Sequence, residues 1–115
     1  MKDFKSLEVW KKAHLLALDI YKITLPKEEL FGLSSQIRRA CLSISTNIAE
    51  GCGRGTDADF KRFLQISFGS ASEVEYLLIL CKDLNYIRNE EFDIHYKKIT
   101  EIKKMLASLI VKLRG

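Results

Sequence analysis

The chain is short of residues that interrupt helices. It carries a single proline, Pro26, in 115 residues, so elsewhere nothing removes a backbone donor or clashes with a preceding helical turn. No convincing strand pattern is present, and no apolar run reaches the roughly 18 residues that a membrane span needs. Residues 1–8 lack the apolar stretch and small-residue cleavage site of an export signal, so a cytoplasmic location without a membrane partner is expected. Cysteine is scarce and odd in number, Cys41, Cys52 and Cys81; the expectation is reduced, buried thiols acting as small hydrophobes. There is no Cys-x-x-Cys, and His14 and His95 are far from any cysteine in sequence, which argues against zinc. Neither histidine has a glutamate three residues before it, so a carboxylate-bridged di-metal site is excluded as well. The glycine run Gly51-Cys52-Gly53-Arg54-Gly55 has no following Lys-Ser/Thr and no preceding strand, and reads as helix punctuation rather than a phosphate loop. The serines of helical segments sit on no nucleophile elbow. No cofactor, no metal and no enzymatic activity are expected.

What is present is helical periodicity. With 47% hydrophobic and 30% charged residues, residues 1–115 form one domain large enough to bury a core without staples. A first helix is predicted from about Ser6, as N-cap, to Thr24, with Leu7, Trp10, Ala13, Ala17, Ile20 and Tyr21 inward. Pro26 ends it, and Leu30 and Phe31 plug the connector. A second helix runs from Leu33 or Ser34 to about Gly51. Thr56 starts a third, with Asp59 in its first turn and a core stripe through Phe60, Leu64, Ser67, Ala71, Val74, Leu78 and Cys81. Asn89 caps a fourth, whose inner stripe includes Phe92, Ile99, Ile102 and Leu109. Four helices with short connections give an all-α, antiparallel up-down-up-down four-helix bundle.

The second helix has an unusual polar stripe. Gln36, Ala40, Ser43, Asn47, Glu50 and Arg54 recur at alternating spacings of four and three residues, so they share a face beside the apolar Ile37, Cys41, Ile44 and Ile48. Turning the chain around residues 53–56 sets Arg39 near Ser70 and within reach of Glu73, Asn47 beside Arg62, and Glu50 beside Asp59. A glutamate on an otherwise apolar stripe is costly unless paired. The expected result is a structural polar network of Arg39, Asn47, Glu50, Arg62 and Glu73, with Arg38 or Arg39 on Glu73 and Arg62 or Arg54 on Glu50. Gly69, mid-helix, would mark a close approach by a neighbouring helix.

Two surfaces remain. Residues 97–115 carry Lys97, Lys98, Lys103, Lys104, Lys112 and Arg114 against Glu101 alone. That basic face is a candidate contact for RNA or DNA backbone, with no motif for base readout. Val9, Leu16, Ile23, Leu42, Phe68, Ile79 and Ile94 fall outside one inner stripe per helix, and apolar residues left outside the core point to a homo-oligomer. The alternative is a protein-interaction or scaffold module with no nucleic-acid role.

The residues that follow carry a resemblance. Phe4, Leu7, Val9, Trp10, Lys12 and Ala13 are joined by Tyr21, Phe31-Gly32-Leu33 and Gln36-Ile37-Arg38-Arg39-Ala40. Ser43-Ile44, Asn47-Ile48-Ala49-Glu50-Gly51, Gly53-Arg54, Phe60, Arg62-Phe63-Leu64, Gly69-Ser70, Glu73 and Tyr86-Ile87 complete the set. Together they resemble the bacterial four-helix bundle family named after the protein encoded in 23S rRNA intervening sequences. The usual proline near Ser45, and the usual phenylalanine at Leu25, are absent. The resemblance implies an antiparallel bundle, assembled commonly as a ring with a pentamer expected, and no established catalytic activity.

Overall fold

The structure is a computed structural model and describes residues 3–113. Four helices account for most of it: α1 (Glu8–Tyr21), α2 (Leu33–Cys52), α3 (Asp57–Asp83) and α4 (Asn89–Lys112). Contacts between neighbours run in opposite numerical directions. Gln36 and Ser43 of α2 meet Glu73 and Ser70 of α3, and Lys12 and Asp19 of α1 meet Glu101 and Lys98 of α4. Lys82 and Phe68 of α3 likewise meet Phe92 and Lys103 of α4, so each helix is antiparallel to the next, and α1 lies beside α2 and α4, diagonally across from α3. The bundle measures 43 × 24 × 21 Å.

Both ends of α3 follow local chemistry, whereas Asn89 does not cap α4: it is the first residue of that helix, and Arg88 before it makes no side-chain cap. Thr56 caps α3 as predicted, its Oγ1 accepting from the Asp59 backbone N–H at 3.1 Å. The far end of α3 closes with Asn85 in the left-handed region (φ 61°). The Tyr86 N–H then bonds the Cys81 carbonyl at 2.8 Å and the Asn85 N–H the Lys82 carbonyl at 2.9 Å, a double return that satisfies the last free carbonyls. Helix α1 is shorter than predicted. Ser6 is not its cap: it belongs to a 3-10 turn, Phe4–Ser6, which Asp3 caps, and its hydroxyl donates back to the Asp3 carbonyl at 2.7 Å. The local turn satisfies Ser6, and α1 starts one residue after Leu7.

The core runs the length of the bundle through Leu16, Ile20, Ile44, Ile48, Leu64, Leu78, Ile99, Ile102 and Leu106, all fully buried. Each contributes about 2 kcal/mol by leaving water. Two expectations change here. Val9 and Leu16 are core residues, not surface ones, because α1 packs against two neighbours and buries a stripe broader than one row, and Ile23, just past the end of α1, is buried as well. Leu30 and Phe31 do not plug the connector. Phe31 is 93% exposed, and that end is closed instead by buried Leu33 and Ile87, with the Tyr86 hydroxyl donating to Glu29 at 2.9 Å. The three cysteines are buried. Burial pushes the Cys41 thiol up to about 12 and the Cys81 thiol up to about 11, so both stay protonated and unreactive at neutral pH.

Candidate interaction surfaces on the outer helix faces

The seam between α2 and α3 holds the polar stripe, but neutral groups fill it. Asn47 Nδ2 donates to the Ser43 carbonyl at 2.8 Å and to Ser43 Oγ at 2.9 Å. Ser70 Oγ donates to Ser43 Oγ at 2.9 Å, and fully buried Ser67 donates to the Ile44 carbonyl at 2.9 Å. The predicted ion pairs are not formed. Glu73 is exposed and accepts from Gln36 Nε2 at 3.4 Å. Arg39 is exposed, without an ion pair or hydrogen bond among the described residues. Glu50 is likewise exposed and unpaired among them. Arg62 lies 3.9 Å from Asp59 and over the Phe63 ring at 4.5 Å. Arg38 donates to the Tyr21 carbonyl at 3.2 Å. Ser43, not Arg39, meets Ser70 across the seam, so the seam closes on small residues and its charges turn outward, where water solvates them at no desolvation cost. Arg39 and Glu73 instead line an open groove of about 500 Å³, flanked by Phe31 and Ser43.

On α4 the lysines divide. Lys98 Nζ lies 2.7 Å from Asp19, and Lys103 Nζ 2.8 Å from Glu75. The Lys103 hydrogen bond, then that of Tyr96 at 2.8 Å, holds the Glu75 carboxyl below its ordinary value. Lys97, Lys104 and Lys112 are exposed and make no ion pair among the described residues; Arg114 lies outside them. Lys104 and Lys112 border an apolar groove of about 420 Å³ lined by Leu7, Val9, Met105 and Leu109. Sequence reasoning counted charge along α4 alone and missed Asp19 and Glu75, which neighbouring helices supply. The available signal was sign complementarity: Lys12 and Asp19 on one flank of α1 face Glu101 and Lys98 on antiparallel α4.

His95 was also missed. It is buried on α4, its Nδ1 has no hydrogen-bond partner, and Nε2 lies 4.0 Å from Glu91. Burial lowers its pKa below 6.5, outweighing the nearby Glu91 and Asp19 carboxylates; Lys98 adds to the lowering. The unfolded chain therefore binds the proton more readily. Stability is fully present above about pH 6.5 and is lost as pH falls through the lower folded value. The thermal midpoint is expected to drop between pH 7.5 and 5.5 in the native chain and to drop less in His95→Leu. Equal drops would show that His95 is protonated without cost.

Among the described residues no group of three or more His, Cys, Asp or Glu is placed to hold a metal ion. No helix among them is long and apolar enough to cross a membrane. The model of the 23S rRNA-intervening sequence protein family matches residues 5–108. The chain belongs to that family. A crystal structure of a protein of unknown function from the S23 ribosomal protein family of Bacteroides thetaiotaomicron superposes with a TM-score of 0.82. It is 35% identical, over 89% of this chain and 97% of that one. No curated protein matches the chain. The family assignment thus brings the fold with it, while the superposed protein is itself described as of unknown function.

Proposed function

We propose that this family member is a non-enzymatic, self-assembling helical scaffold, and that its oligomer presents repeated lysines to nucleic-acid backbone. The observation that carries the first part is the apolar residues on the outer sides of two helices, Leu15 and Leu18 on α1, Ile66, Tyr76 and Ile79 on α3. Exposed apolar surface of that extent favours an interface. A repeated heterologous contact that closes covers it, with five copies the number that the family resemblance implies. The second part is supported by Lys97, Lys104 and Lys112, which no carboxylate neutralises among the described residues. Weak contacts to phosphate gain strength when one assembly repeats them.

Sedimentation of the native chain at micromolar concentration tests assembly, and a stable monomer overturns it. A salt titration of RNA and duplex DNA binding tests the lysines. The Lys97→Glu, Lys104→Glu variant should bind more weakly, with a salt slope shallower by about one unit for each phosphate contact removed. Equal binding by both proteins, or none at low salt, removes nucleic acid from the proposal and leaves a scaffold for protein partners.

A further inference from the structure

Gly69 sits in the middle of α3, and nothing lies within 4 Å of where its Cβ would be. A glycine there weakens the helix, and no contact inside the protomer requires it. The expected close approach by a helix of the same chain is absent. Gly69 is exposed, one turn from exposed Ile66 on one side and from exposed Glu73 on the other. The outer face of α1 repeats the spacing of these three residues. Leu15, Leu18 and Lys22 are exposed at intervals of three and four, as are Ile66, Gly69 and Glu73.

Around a ring axis that runs along the helices all copies point the same way, so α1 of one copy and α3 of the next run parallel. Because α1 and α3 occupy opposite corners of the bundle, each copy can offer both faces at once.

We infer that the interface of the self-assembly proposed above is α1 of one copy against α3 of the next. Leu15 meets Ile66, Leu18 fills the space over the bare backbone at Gly69, and the Lys22 ammonium meets the Glu73 carboxylate. This inference rests on the self-assembly reading. A second copy is the occupant because the apolar residues, the gap and the opposite charges match in order along both helices.

The test uses the full chain, with sedimentation at micromolar concentration and helical content by circular dichroism. Gly69→Leu adds a side chain in open space on a helix, so the fold is kept while Leu18 of the next copy is displaced; the oligomer should shift to monomer. Lys22→Glu alone and Glu73→Lys alone should each weaken assembly, and the Lys22→Glu, Glu73→Lys double variant should restore it. Lys97→Glu, on α4, should leave assembly unchanged. An assembled native chain whose Gly69→Leu and single charge variants remain fully assembled overturns this interface and leaves self-assembly standing. A monomeric native chain overturns both.

Discussion

Leu16→Ala is expected to destabilise the protein by about 3 kcal/mol, the middle of the range for truncating a fully buried leucine. For a domain of this size that lowers the thermal midpoint by roughly 10–15 °C. Leu16 is 0% exposed and lies in the central cluster with Ile20, Ile44 and Ile99. Alanine leaves a cavity that helices fixed on two sides collapse into only partly. Leu42 provides the contrast. It belongs to the same set of leftover apolar residues by sequence but stands 47% exposed on the outer side of α2. Leu42→Ala is expected to stay within about 0.5 kcal/mol. Thermal unfolding of the two variants side by side decides the matter. Equal small effects would mean that α1 does not bury Leu16.

That pair shows what the sequence carried and what it hid. Periodicity found the four helices, and Thr56 found the start of α3, because caps and helical stripes are local properties. The bundle followed from short connections. What periodicity could not give was stripe width. Leu16 and Leu42 each fall beside a predicted stripe, and only the number of neighbours distinguishes them: α1 sits between α2 and α4 at that height, whereas Leu42 faces away from both partners of α2. The polar seam failed for a related reason. Ser43 and Ser70 meet across the α2–α3 contact and Ser67 reaches the Ile44 carbonyl, whereas Asn47, expected beside Arg62, bonds back to Ser43 of its own helix. The charged members Arg39, Glu50 and Glu73 lie at the edge of the same arc, where they face solvent rather than the seam. Ion pairs on α4 were illegible because both carboxylates, Asp19 and Glu75, come from other helices. Gly69 was noticed, but the helix that would explain it was sought inside the chain.

Gly51 is where a close approach does exist. It is buried in the last turn of α2, and a Cβ built there would lie 2.8 Å from Phe63 Cβ and 3.0 Å from Phe60 Cδ1. Phe63 Cβ is fixed to the α3 backbone, and Phe60 and Phe63 are both buried, so neither atom can swing into solvent. Any side chain at this position must push α3 away from α2 just before the turn that joins them. Alanine gains about 1 kcal/mol of helix propensity against an overpacking cost of about 1–3 kcal/mol, so Gly51→Ala should be destabilising by about 1 kcal/mol. Valine adds two methyl groups and brings β-branched crowding instead of alanine's propensity. Gly51→Val is therefore expected to cost about 3 kcal/mol, a fall in thermal midpoint of roughly 10–15 °C, with the helical signal of the folded baseline retained. Urea unfolding of both variants checks the order. If Gly51→Ala is as stable as the native chain or more so, α3 moves aside cheaply, and the α2–α3 spacing is set by the Ser43–Ser70 and Ser67–Ile44 hydrogen bonds rather than by contact at Gly51.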